Sequence, residues 1–306
     1  MRIGDDSNDT LSSETSQTSV LTDSGAWQKR RRRWQLPRVI TVIFQSKSVT
    51  IGAAVILFWC LVALTAPLYP YSPTAISGAR LEGPSLEHWL GTDHLGRDVM
   101  SRLIWGTRTV LLLAPLATFL GELGGACLGL FSGYVGGKID MLIMRICDIG
   151  MSFPYYLIYI LIITSLGPSA LNVVFSIALG STPTITRIVR SLALQAREQD
   201  YVSAARLRGE SLWYILLREI LPNVSGPIIT DACIRVGYAV MSIGWFGFFG
   251  LGIPPPAPDW GGMINEGRRW IFRMPWITLG PAIALSSLVI GLGMLSDGLK
   301  EITQRR

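Results

Sequence analysis

The chain has 306 residues, 49% of them hydrophobic and only 16% charged, with a net charge of +6. A soluble domain carries roughly 25% charged residues, and the mean hydropathy is +0.40. Together these exclude large soluble domains and identify a membrane protein. Four cysteines, Cys60, Cys127, Cys147 and Cys233, fall in apolar segments without CxxC or Cys/His spacing. They read as buried, inert thiols rather than disulfides or zinc ligands.

Residues 1–25 are polar and rich in Ser, Thr and Asp, too poor in apolar side chains to offset the entropy of ordering. They read as a disordered tail with no signal-peptide core. The basic block Lys29, Arg30, Arg31, Arg32 and Arg33 follows. Such a block is able to bind nucleic acid, but beside a membrane segment it reads as a cytoplasmic anchor. The first expected span is Val49–Ala66, ended by Pro67, Pro70 and Pro73, with a hydrophilic loop to Arg108. Thr109–Gly137 is the second span and holds one charge, Glu122. Ile149–Thr186 is charge-free for 38 residues and is broken at Gly167-Pro168-Ser169 into spans three and four, the third beginning as early as Ile139. Span five covers Asn223–Ile253 up to the prolines at 254–256, and span six covers Met274–Ser296.

Six spans put both termini on one side. Lys and Arg number 19 in the segments on that side and 7 in the two opposite loops, so both termini are expected in the cytoplasm. Continuous apolar runs exclude a β-barrel. The expected fold class is an all-α membrane protein with six transmembrane helices. Its parts are a tail with a basic stop at 1–34, a first helix with an extracytoplasmic loop at 35–104, and a five-helix core at 105–306.

Residues 198–222, between spans four and five, are the most informative stretch. Tyr201, Val202, Ala204, Ala205 and Leu207 form an apolar or small face, Gly209 breaks it, Ser211 suits a helix cap, and Leu212–Leu221 is apolar again. That pattern predicts two short helices meeting at Gly209, built to lie against something. A membrane-surface helix with snorkelling Arg is the alternative.

Ala204-Ala205, Gly209 and Leu221-Pro222 resemble the "EAA" signature of ABC-importer permeases. The fuller string, Asp200-Tyr201-Val202 through Arg206 to Asn223, is similar to the dipeptide/oligopeptide/nickel branch. Gly91-Thr92-Asp93 with Gly96-Arg97-Asp98, Phe249-Gly250-Leu251-Gly252 with Trp260-Gly261, and Pro275-Trp276 with Gly280-Pro281 and Asp297-Gly298-Leu299 match further family elements in order. The long first loop resembles the C-type permease of such systems. Three departures stand out: Ser203 replaces the acidic residue opening EAA, Glu219 stands where the branch often has His, and Gly247-Phe248-Phe249 stands where the motif reads Ser-Phe-Leu.

The resemblance implies a type I ABC-importer permease fold and a multi-pass place in a bacterial inner membrane. It also implies that the chain is non-catalytic, with ATP and Mg bound by partner subunits, and that it moves di- or oligopeptides or a related small solute. The implied partners are a homologous second permease, two ATPase subunits and an extracytoplasmic solute-binding protein; nucleic acid is not among them. Tyr201, Ala204, Ala205, Arg206, Gly209, Leu221 and Pro222 then carry the coupling loop seated on an ATPase.

Gly121, Gly125, Gly129 and Gly133 recur every four residues and make a smooth helix face, for packing within the subunit or against a second permease. Asp231 and Arg235, at i, i+4, read as an internal pair, and Glu122 either lines a pathway or satisfies a helix end. Asp98 reads as a helix N-cap. His88 and His94 read as surface loop residues without a metal pattern. Trp260, Trp270 and Trp276 read as an outer aromatic belt. Gly136-Gly137-Lys138 lacks the first Gly and the Ser/Thr of a phosphate loop. Two rival functions remain: a secondary transporter driven by an ion gradient, needing inverted repeats and midplane ionisable residues, and a channel, needing a filter.

Overall fold

The computed structural model describes residues 47–304. The expected tail and the basic block at 29–33 lie outside these residues. The described chain is helical: α1 (Lys47–Thr65), α2 (Val99–Val135), α3 (Gly137–Ser152), α4 (Tyr155–Leu166), α5 (Ala170–Arg197), α6 (Asp200–Leu207), α7 (Leu212–Phe248), α8 (Trp260–Gly267) and α9 (Pro275–Gln304).

Four of these, α1, α2, α7 and α9, are long and apolar enough to cross a bilayer alone. A bent pair is long and apolar enough to make a fifth, as a broken span or a re-entrant loop. α3 and α4 meet at 86° around Phe153-Pro154, where the sequence predicts an uninterrupted run. Pro154 offers no backbone N–H to continue α3 and, with φ near −56°, precedes the first turn of α4 instead. The expected break at 167–169 is present: Gly167 takes φ +85° and Ser169 caps α5 by accepting from Asn172 N at 3.1 Å. α5 occupies the fourth expected span. Its 28 residues reach about 42 Å, but its Ser, Thr and Asn residues make it less apolar than the other four.

Two boundaries move for physical reasons. α2 begins at Val99, ten residues before the apolar run, because Asp98 caps it, accepting from Ser101 N at 2.6 Å, and the charge of Arg102 is consumed by buried carboxylates. α7 begins at Leu212 and runs through Pro222, so the second short helix expected in the loop is the first part of a 37-residue helix. Residues Ile215–Ile220 adopt the wider π-helical hydrogen-bonding register just before the proline. That shift accommodates the missing proline donor without ending the helix.

In lipid no hydrophobic force draws helices together, so close packing does it. α1 lies on α9, where a Cβ at Gly52 would sit 2.6 Å from the Gly291 carbonyl, and Trp59 Nε1 donates to Ser287 Oγ at 3.0 Å. α3 is tied to α5 by Arg190, whose Nη2 donates to Asp140 Oδ2 at 2.6 Å. One buried cluster surrounds Trp59, Tyr159, Phe246 and Trp260, and a second, near the C-terminal ends of α2 and α5, surrounds Leu130, Ile185 and Val189. The cysteines are free thiols, but only Cys147 is buried and Cys127 is exposed, contrary to the sequence expectation. An apolar run fixes depth in a membrane, not which way one side chain turns.

Candidate functional site

The loop 198–222 is a rigid wedge with two unlike faces. α6 has Asp200 in its first turn and Arg206 in its last, matching the helix dipole. Gly209 follows with φ +75°, a left-handed value that a β-branched residue resists, and Gly209 N donates to Arg206 O at 2.9 Å. Ser211 then caps α7, accepting from Tyr214 N at 3.3 Å. On the inner face Val202, Ala205, Ile215, Leu216 and Ile220 are buried against Leu130, Ile185, Val189, Ala193 and Ala196 of α2 and α5. On the outer face Ser203 and Ala204 are exposed, and Leu207 is 90% exposed.

The expected loop residues therefore separate. Ala204 presents a small surface outward, whereas Ala205 is fully buried against its own subunit and offers no approach to a partner backbone. Arg206 lies over the Tyr134 ring at 5.0 Å and donates to Tyr134 Oη at 3.2 Å, fixing α6 to the end of α2. Tyr201 is half-buried; burial, helped by the nearby charge of Glu219, raises its pKa. Leu221 is half-buried and Pro222 is exposed. Glu219 earns its place through Arg208, whose Nη2 donates to Glu219 Oε1 at 3.2 Å across the Gly209 turn.

The glycine row packs inside the subunit. A Cβ would fall 2.5 Å from Ser181 Oγ at Gly121, 2.7 Å from the Thr186 carbonyl at Gly129 and 2.7 Å from the Arg190 carbonyl at Gly133, while at Gly125 it would strike Ile185. All are atoms of α5, so of the two readings left open by the sequence the structure selects packing within the chain.

The intramembrane charges form one cluster. Arg235 Nε lies 2.5 Å from Asp231 Oδ2 and 3.5 Å from Glu122 Oε1, and Arg235 Nη1 donates to Thr184 Oγ1 at 3.1 Å. The i, i+4 pair was legible; Glu122 joining it from another helix was not, because more than a hundred residues separate the partners.

At the N-terminal end of the 37-residue α2, about 35 Å along the helix from Glu122, lies a second polar centre that sequence reasoning missed. Asp93 Oδ2 accepts from Arg97 Nε at 2.6 Å and Arg102 Nη1 at 2.7 Å, and both arginines also reach Glu266 Oε2, at 2.9 and 2.7 Å. Burial alone would raise the Asp93 pKa, yet the Arg97 and Leu95 backbone N–H groups and the two guanidinium charges hold it below the usual carboxylate value. His88, expected on the surface, is 3% exposed with Nδ1 2.8 Å from Asp98 Oδ2. Trp260, expected in an interfacial belt, is fully buried and donates to Leu103 O at 3.0 Å. Asp259 caps α8 through Gly262 N at 2.8 Å, and burial pushes its pKa up to about 6. Asp93, His94 and Glu266 bring ligand atoms within 4.8 Å, but the two arginines already hold both carboxylates, a poor donor set for a cation.

Residues 125–306 match the family model described as binding-protein-dependent transport system inner membrane component. The chain is 39% identical to the dipeptide transport system permease protein DppC of Alkalihalophilus pseudofirmus, over 84% of this chain and 85% of that one. It is 38% identical to the glutathione transport system permease protein GsiD of Pectobacterium atrosepticum, over 72% and 73%. It is 32% identical to a probable D,D-dipeptide transport system permease protein of Escherichia coli, over 90% and 93%. Among solved structures, an inward-facing MetNI methionine ABC transporter chain superposes with a TM-score of 0.53 at 18% identity, covering 65% of this chain and 94% of that one, a likeness of fold.

Proposed function

The chain belongs to the family of binding-protein-dependent transport system inner membrane components, and from that premise we propose that it is the permease subunit of an ATP-driven importer for dipeptides or related short peptides. Its named relatives transport dipeptides and glutathione. The chain itself performs no bond chemistry. A homologous permease, two ATPases that bind ATP and Mg, and a solute-binding protein outside the membrane complete the machine, with both termini of this chain in the cytoplasm.

One observation carries the reading: the 198–222 wedge turns an apolar, 90% exposed Leu207 outward while its inner face is locked into α2 and α5. Such a piece transmits force because it cannot move without its helices. ATP closing the ATPases displaces α6, and α2, α5 and α7 follow between inward-open and outward-open states. Tyr201, Ala204, Arg206, Gly209, Leu221 and Pro222 shape or hold the wedge, and Ala205 anchors it from within.

The test is reconstitution of the assembled transporter in proteoliposomes. Gly209→Val meets no neighbouring atom within 4 Å, but a β-branched residue at φ +75° is strained by about 1–2 kcal/mol. The turn then relaxes and the outer face of α6 is misdirected. The expected result is a variant that inserts and hydrolyses ATP but loses uptake. Normal uptake by it removes the role given to the loop. Uptake driven by a proton or sodium gradient without ATPases favours the secondary-transporter reading instead.

A further inference from the structure

An open hollow of about 530 Å³ lies where α1 ends, lined by Thr65, Leu68, Tyr69, Leu86, Glu87 and Trp89 among others. We propose that Leu68, Leu86 and Trp89 form an interfacial foot, an apolar patch of the first loop that folds back and seats in the phospholipid of the outer leaflet. Its occupant is lipid, not a second permease or a solute-binding protein.

The first argument is height. α1 has 19 residues, from Lys47 to Thr65, and is about 28 Å long, close to the roughly 30 Å of hydrocarbon in a bilayer. With the charge of Lys47 held at one boundary, Thr65 falls at the other, and so does the hollow it lines. With both termini in the cytoplasm, that boundary belongs to the outer leaflet. Leu86 and Trp89 come long after Thr65 in a hydrophilic stretch, yet they line the same hollow. The loop has therefore returned to the membrane surface.

The second is continuity. Leu57, Leu61, Leu64 and Leu68, at i, i+4, i+7 and i+11, form one exposed stripe along α1 and the turn that follows it. The opposite side of α1 packs on α9, where Trp59 meets Ser287, so the stripe is the lipid-facing side of a span. Leu86, 98% exposed, and Trp89, 62% exposed, carry the same apolar surface past the end of the helix. A water-soluble partner covering Leu68 would have to press into the hydrocarbon boundary, where lipid already lies.

The third is fixation. Ser85 N donates to His88 O at 2.8 Å and His88 N to Ser85 Oγ at 3.0 Å, closing a tight turn with Leu86 and Glu87 at its tip. His88 turns inward to Asp98, the N-cap of α2. Ser101, in the first turn of α2, donates from Oγ to Tyr71 O at 2.6 Å. Both walls of the hollow are thus fastened to the start of α2, and the apolar side chains are presented without an ordering cost at each contact. Glu87 alone among the lining residues is charged, and it is exposed. Headgroups and water accommodate a carboxylate at that level, and leucine with tyrosine and tryptophan is the residue mix of a membrane–water boundary.

The experiment uses the assembled transporter with its solute-binding protein in nanodiscs of phosphatidylcholine, either plain or brominated near the head of the acyl chains. The emission of the parent minus that of Trp89→Phe gives the Trp89 signal. At the depth an interfacial apolar face reaches, about 5–10 Å, that signal is expected to fall about twofold in brominated lipid. An unchanged signal puts Trp89 in water or under a protein and overturns the proposal. A second measurement keeps Trp89 in place. The photoreactive residue p-benzoyl-L-phenylalanine, put in place of Leu86 and irradiated, is expected to give a phospholipid adduct by mass spectrometry. An adduct to the second permease or to the binding protein overturns the proposal, as does no adduct. So does an equal lipid yield from the same probe at Ile76, which is 73% exposed in the same loop but does not line the hollow, since the probe rather than the patch then seeks the lipid.

Discussion

Gly124 and Gly129 sit on one helix, differ by five residues and make opposite predictions. At Gly129 an added Cβ would lie 2.7 Å from the Thr186 carbonyl oxygen, 2.8 Å from Val189 Cβ and 2.9 Å from Arg190 N. Ordinary contact begins near 3.5 Å, so α5 would have to retreat by roughly 0.8 Å to clear the nearest atom. Two of the three obstacles are backbone, which cannot rotate away. At Gly124 the nearest atom is Thr182 Oγ1 at 3.5 Å, ordinary contact. Replacing either glycine with alanine favours the helix by about 1 kcal/mol, and that gain cancels between the two variants. The difference isolates the overpacking cost, about 1–3 kcal/mol. Thermal unfolding of the purified subunit in one detergent, followed by loss of the monodisperse elution peak, measures it. Gly124→Ala is expected at or above the parent and Gly129→Ala several degrees below Gly124→Ala. If Gly129→Ala matches or exceeds Gly124→Ala, the α2–α5 contact is not set by the glycine row, and packing of that face against a second subunit returns as the reading.

Three further outcomes are expected. Leu207→Asp changes a side chain that is 90% exposed, so stability of the subunit moves by no more than about 0.5 kcal/mol, while co-purification of the ATPase subunits is lost; retained co-purification contradicts the wedge. Asp93→Asn leaves Arg97 and Arg102, both 3% exposed, short of a carboxylate, and lowers stability by about 3–5 kcal/mol, read as a fall in thermal midpoint. Asp259 carries its carboxyl near pKa 6 when folded, above the ordinary 3.8, so the folded state holds the extra proton between those values. Stability then falls as pH rises from about 4 to 6, by about 3 kcal/mol, and levels off above. Asp259→Asn retains an oxygen for the α8 cap and flattens that slope, and an unchanged slope contradicts the assignment.

The sequence by itself determined the class of the molecule. Apolar intervals of bilayer length located helices at α1, α2, α7 and α9, because hydrocarbon allows a backbone no other open-ended solution. Local chemistry was legible too: Asp98 and Ser211 cap helices, Gly209 takes a left-handed turn, and Asp231 meets Arg235 one turn away, all within a few residues of chain. Composition could not say which atoms meet across helices. The bend at Pro154, the passage of α7 through Pro222, the burial of Ala205, His88 and Trp260, and the choice of α5 as partner for the glycine row were decided by tertiary packing. So was the gathering of Glu122 with Arg235, and of Asp93, Arg97 and Arg102 with Glu266. A charge counted alone looks like an exposed residue or a costly one. Only when a helix folds back does its partner arrive, and in a medium without water that arrival decides where the charge is tolerated.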